Sequence, residues 1–531
     1  MYRRTYWPND NPKTSPKTYW PTPEEYKKCI DPADVDQEGR TPLHLALLHG
    51  GDDDQHLERV IKAGCNINAE DKNGQRAVHY AAQNGHTRCI QKLARHGADL
   101  NILDANGYSP LMLSARHGFS KAIRILTRAG ANPNLENDRK ELAIHYAVCK
   151  GHVECLKDLL LAKSKVNHPD AEGCSPLILA TKFSWVEVAV TLLNANAAPD
   201  HKDNIGKTAL HWAATIGNVP MIELLISAGA EIDTFDTYGY SPFVYTIKTN
   251  NHVAMKHLLD AGCDRGTVDG LNGTALGLAC LRGHQECVKI LLETGDDPDE
   301  IGFFGLTPLM LACFESHVDV VGTLLEHGAN PDAQGRMGAT PLVKSLIKIC
   351  PLNEVPRHRI VALLLRSGAD VNLQVNTAGY FTCITKGKNC PLSFAMCSGY
   401  TSLIRMLLLA GSQVTCKEVR DWYEQVNIDR FFNTKAIIDP IREWKARPRS
   451  LRFSCRGVIR KSIQNKSANI SEAIRTLPIA PVLQDFVNFT DLDSIQPERS
   501  GLVLSDRLLQ GDVHATSEES FTEVSPKAVY P

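Results

Sequence analysis

The sequence predicts an all-α solenoid of stacked helix pairs, and three observations predict it. A short motif, Gly-x-Thr/Ser-Pro-Leu-His-x-Ala, recurs at a fixed period, a turn residue opens each copy, and a second apolar-faced helix follows it. The apolar residue before the His slot marks the register: Leu43, Val78, Leu111, Ile144, Leu177, Leu210, Phe243, Leu276, Leu309 and Leu342. From Val78 to Leu342 every step is 33 residues.

A 33-residue period carrying this motif is the signature of ankyrin repeats. The turn residue sits four places before the mark, as Gly39, Gly74, Gly107, Gly173, Gly206, Gly239, Gly305 and Gly338. Glycine reaches positive φ without a steric penalty. Asn272 tolerates that region too, whereas Lys140 must either strain there or re-form the turn. Ser or Thr followed by Pro comes next, as in Ser109-Pro110 and Thr307-Pro308, which supplies an N-cap and a first helical residue. The second helix shows apolar residues three and four apart, as from Val186 to Leu193. It stops near a glycine such as Gly97, Gly130 or Gly328. One pair cannot bury both of its helices, so stability must come from stacking.

About eleven units are expected over residues 36–415, the last two degenerate. The first step is 35 residues, with 51–54 bulging from a helix turn. The step from Leu342 to Leu392 is 50, with insertions near 350–356 and 377–389. Residues 1–35 read as a disordered N-terminal extension, 416–447 as helices capping the array, and 490–531 as a disordered tail rich in Ser, Glu and Asp.

Composition argues against several function classes. Lys plus Arg is 58 and Asp plus Glu is 60, so the net charge of −2 supplies no general attraction to nucleic acid or anionic membranes. No run of 18 apolar residues occurs, and the N-terminus lacks a signal-peptide core. The 16 dispersed cysteines suggest reduced thiols in the cytosol or nucleus. His44, His79, His145 and His211 occupy the motif slot, and His86, His152, His252, His284 and His317 are assigned to a Gly-His slot between helices, so both sets read as structural hydrogen-bonders. Cys89, Cys155 and Cys287 share one helix position and read as small apolar residues. Cys383, Cys390 and Cys397 lack the pairing of a zinc site. No Walker loop, HExxH or GxSxG is present, so no catalytic residue, metal or cofactor is expected.

The chain should instead bind a protein. Most finger loops carry polar residues beside the turn, such as Lys72, Asn73 and Gln75. Between the fifth and ninth units they become Ile205, Tyr238, Tyr240, Phe303, Phe304 and Leu306, with Phe183, Ile216 and Phe314 at the ends of first helices. Such side chains either fold onto neighbouring fingers or form a target-protein interface on the concave face.

Beyond the array, Ser450 can cap a helix bearing Leu451, Cys455 and Ile459 at four-residue spacing. Leu477, Pro478, Ile479 and Pro481 lead into a second apolar cluster with Leu483, Phe486 and Val487. The helix could pack on the last repeat as core or lie in a partner's groove. An ankyrin array followed by Ser-Leu-x-x-x-Cys-x-x-x-Ile and Leu-Pro-Ile-x-Pro-x-x-Leu-x-x-Phe resembles the ankyrin repeat and SOCS box family, over residues 36–490. The resemblance implies a small helical SOCS box-like domain at 448–489. Within it, Leu451, Cys455 and Ile459 would meet elongin C of the elongin B and C pair, and Leu477, Pro478, Ile479 and Pro481 would select cullin-5. It also implies a non-catalytic substrate receptor of a cullin–RING ubiquitin ligase. The alternative is an ankyrin scaffold or inhibitory adaptor with no ligase connection. Two features depart from the pattern: Ala480 stands where the second box usually has proline, and Phe486 where it has tyrosine. Gly457 also weakens the first helix by roughly 1 kcal/mol relative to Ala.

Overall fold

In the computed structural model each motif copy becomes the first helix of a pair. Serine and threonine hydroxyls cap several of these helices: Ser109 Oγ accepts the Met112 N–H at 3.1 Å and Thr274 Oγ1 accepts that of Gly277 at 3.0 Å. Ser241 makes no such bond. The model describes residues 35–412 except 50, 53, 267–272, 336–337, 348–353, 375–389 and 399–400. Among these residues there are 22 α-helices in eleven pairs, as an ankyrin solenoid requires. None is long and apolar enough to cross a membrane.

The chain forms two compact units, Met1–Asp264 and Arg265–Pro531. In each, first helices stack on first helices and second on second. In the first unit, buried polar side chains tie the repeats together. His44, His79, His145 and His211 each accept at Nδ1 the backbone N–H three residues earlier, at 2.8–3.1 Å. That fixes the proton on Nε2, which donates to a carbonyl of the following repeat: Gln75, Tyr108, His168 and Tyr240 respectively. Burial pushes all four imidazoles below their usual range, His145 and His211 to about 4. His86 and His152 bond backward instead, to Leu47 O and Arg116 O.

Two sequence expectations need correction and two others are sharpened. His252 is one residue out of the backward-bonding slot. Asn251 fills it, donating to Ala214 O and Thr215 O. Lys140 keeps the turn geometry at φ 57°. Residues 354–356, read as part of an insertion, belong to the 13-residue helix Glu354–Arg366. The bulge after the first helix ties the first repeat to the second, because its Asp52 accepts from the Arg88 and Cys89 amides and from Thr87 Oγ1. Cys89, Cys155 and Cys287 are buried, and burial pushes the Cys155 thiol to about 12 and that of Cys287 to about 11.

In the second unit the motif-His slot holds Gly277, Met310 and Val343, all inside apolar packing. The ring of Phe303 fills the space over Gly273, where a Cβ would fall 2.0 Å from Phe303 Cζ.

Candidate functional site

The fingers of the first unit are built on one side chain each. Asp36, Asp71, Asp104, Asn137, Asp170, Asp203 and Asp236 accept at Oδ1 the amides two and four residues ahead, at 2.8–3.0 Å. This closes the turn and directs the residue two places on toward solvent. Backbone bonds link successive tips: Ala105 N–H to Asn73 O, Asn204 N–H to Glu172 O and Thr237 N–H to Ile205 O.

The exposed tips are Glu38, Asn73, Asn106, Arg139 and Glu172, and then Ile205 and Tyr238. Tyr238 is 63% exposed and Ile205 38%. Phe235, 52% exposed, joins them. Nothing in the repeat pattern singles out Phe235, because the matching position varies from Glu70 to Lys202. Ile216 is exposed, while Phe183 and Tyr240 are half-buried.

Beneath these tips lies an alternation of lysine and aromatic side chains that sequence reasoning missed. Lys182 Nζ stands 4.5 Å from the Trp212 ring centroid, and Lys207 Nζ lies 4.6 Å from Trp212 and 4.1 Å from Tyr245. Lys248 Nζ lies 3.8 Å from Tyr240. The second carboxylate oxygen of the finger Asp holds the aromatic: Trp212 Nε1–H donates to Asp203 at 3.0 Å and Tyr245 OH to Asp236 at 2.6 Å. Burial and that bond raise the Tyr245 phenol, and desolvation lowers the Lys207 ammonium against the pull of Asp236 and Asp203. The visible signal was an Asp nine residues before a Trp or Tyr, a spacing that Asp71 and Tyr80 repeat.

In the second unit Phe304 is 45% exposed and Phe314 half-buried beneath Lys344. Phe303 and Leu306, expected at the target surface, are only 4% and 8% exposed. The finger-Asp position there is Gly302, so no carboxylate holds the turn. The segment Phe303–Gly305 winds into a 3-10 turn that swings Phe303 inward. These two residues are core.

The expected elongin contacts Leu451, Cys455 and Ile459 and cullin contacts Leu477, Pro478, Ile479 and Pro481 lie outside the described residues.

The chain matches the family model "Ankyrin repeats (3 copies)" at residues 51–137, 144–236, 243–335 and 297–375. It matches the SOCS box model at 447–488. The crystal structure of the human ASB11 ankyrin repeat domain is similar over 42% of this chain and 99% of its own, with 28% identity and a TM-score of 0.38. No curated protein matches. Ankyrin repeats are protein-binding modules, and SOCS boxes in general bind elongins B and C and a cullin. With both modules in that order, the chain belongs to the ankyrin repeat and SOCS box family.

Proposed function

We propose that this protein is the target-recognition subunit of a cullin–RING E3 ubiquitin ligase and is itself non-catalytic. The observation that carries the proposal is a SOCS box match placed after an ankyrin array on one chain. Leu451, Cys455 and Ile459 dock on elongin C, and Leu477, Pro478, Ile479 and Pro481 engage cullin-5. Target binding falls to the apolar fingers of the first unit, Ile205, Tyr238 and Phe235, whose exposure on adjacent tips supports that role. Two docking surfaces on one chain hold target lysines near the charged ubiquitin carrier, so effective concentration drives the transfer.

Co-expression with elongins B and C tests the first half. A stoichiometric complex is expected, and Leu451→Asp should abolish it with the helical circular dichroism unchanged. If the wild-type chain purifies alone, the ligase assignment fails. For the second half, targets are identified by crosslinking in cells. Ile205→Asp with Tyr238→Asp should remove them while elongin binding persists, and unchanged target capture would move the site elsewhere.

A further inference from the structure

The outer face of the first unit carries a concentration of positive charge that the proposed function does not use. Helix Thr87–Arg95 bears Arg88, Lys92 and Arg95, and helix Ser120–Arg128 bears Lys121, Arg124 and Arg128. Neither contains an acidic residue, and the two pack side by side. The later second helices of this unit are mixed or acidic, with Glu154, Lys157 and Asp158, then Glu187, then Glu223. The charge is therefore local, in a chain whose net charge is −2.

Nearby carboxylates are largely committed. Lys92 pairs with Glu58 and Arg124 with Asp158 at 3.3 Å. Asp52 is occupied by the amides of Arg88 and Cys89. Among the described residues, no carboxylate lies within ion-pair distance of Arg88, Arg95, Lys121 or Arg128, and all four are exposed. Beside the patch a groove of about 340 Å³ is lined by Arg124, Arg128, Ala131, Pro133, Asp158 and Leu161 among others, and its one carboxylate, Asp158, is paired with Arg124. Leu161, the last residue of the helix Val153–Leu161, is 82% exposed at its edge.

We propose that this face docks an acidic protein segment carrying one large apolar side chain, its carboxylates on the two basic helices and that side chain in the groove against Leu161. Charge complementarity selects the acidic partner, and the apolar slot selects a peptide among acidic ligands. A nucleic-acid strand would find no aromatic on these two helices for base stacking. A membrane surface would need more apolar area than one leucine provides.

The test uses the full chain and a fluorescent synthetic peptide of Glu and Asp around a central Phe, followed by anisotropy at low salt. Arg95→Glu with Arg128→Glu is expected to weaken binding by roughly tenfold or more. Replacing the peptide's Phe by Ser should weaken it severalfold, and Lys256→Glu, elsewhere on the outer face, should leave it unchanged. Lys121→Glu with Arg88→Glu serves as a second reversal should the first pair perturb folding. Equal affinity for wild type and both reversals overturns the proposal, as does indifference to the peptide's Phe. Tighter binding of single-stranded RNA or of phosphatidylserine vesicles, lost on the same reversals, overturns it in favour of that ligand.

Discussion

In the first unit, four of the positions following the register mark are His44, His79, His145 and His211, interspersed with Met112, Ile178 and Val244; in the second, the described counterparts include Gly277, Met310 and Val343. The described finger positions differ as well, with Asp203 and Asp236 in one unit and Gly302 and Gly335 in the other. At the motif slot the fold is thus jointed in two manners, by buried histidine hydrogen bonds and by apolar packing, while other joints between repeats stay hydrogen-bonded in the second unit, as His317 Nε2 is to Leu281 O. Hydrogen-bonded joints demand the correct protonation state and a partner for every group. Apolar joints demand volume, and a finger without its carboxylate can send an aromatic inward. Thr237 of the first unit is exposed while its counterpart Phe303 packs into the core, and the next residues, Tyr238 and Phe304, face solvent in both.

The largest expected effect separates the two Phe side chains of the second unit. Phe303→Ala should cost about 3–5 kcal/mol, because it empties the space over Gly273. Phe304→Ala should cost within about 0.5 kcal/mol. Hydrogen exchange in helix Ala275–Arg282 reads both, and equal losses would contradict the inward packing of Phe303.

Acid should split the units. His145 and His211 stand at about 4 when folded and near 6.5 when unfolded. The unfolded chain therefore binds more protons between those values. Their stabilisation is complete above pH 6.5 and is lost as pH falls toward 4, by roughly 2 kcal/mol each at pH 5. Burial also raises the carboxyls of Asp158 and Asp170 in the first unit and of Asp296, Asp299 and Asp332 in the second, which has the opposite sign in both: protonation favours the folded form as pH falls, so the histidines carry the difference. Exchange rates corrected for intrinsic chemistry at pH 7 and pH 5 should show the first unit loosening more. Parallel loosening would mean that the histidine joints are not the difference.

Asp236→Ala removes the acceptor for the Tyr238 and Tyr240 amides and for Tyr245 OH, at a cost of about 2 kcal/mol in the first unit. Asp236→Asn should cost less than half of that, since Asn137 Oδ1 accepts the same two amides in its own finger, and its Nδ2 meets the tyrosine as a donor to Tyr146 OH where Asp236 accepts from Tyr245 OH. Thermal melts of the two variants compare them directly, and equal losses would point to charge, through Lys207, as the dominant contribution.

The periodic parts of this fold were legible because their causes are local. A turn glycine, a Ser/Thr-Pro cap and an apolar helix stripe each act within a few residues, so the repeat and its period could be read directly. The motif histidines were legible as structural because their partners recur one repeat away. Side-chain direction in a finger was not legible, since Phe303 turns inward for want of a carboxylate at 302, a property of an absent group. The Lys–aromatic alternation escapes a linear reading because Lys182 and Lys248 follow their register marks while Lys207 precedes its own, so these lysines of three successive repeats share aromatic rings only when the repeats stack. His252 misleads for a simpler reason: its proximity in sequence to the slot conceals Asn251 as the residue in register.

The smallest effect concerns the backbone. Lys140 in the first unit and Phe304 in the second both hold φ 57°, a conformation that costs an L-residue roughly 1–2 kcal/mol. Lys140→Gly removes that strain from an exposed side chain, and after the added chain entropy of glycine should gain about 0.5–1 kcal/mol. Phe304→Gly removes the same strain together with a ring tilted against Phe303 at 6.3 Å, so its gain should be smaller or vanish. Urea titrations with probes in each unit would measure the two. Equal gains would mean that the Phe304 ring contributes nothing to its finger and leave it available for a partner, whereas a loss at 304 would assign the ring to the packing of the second unit.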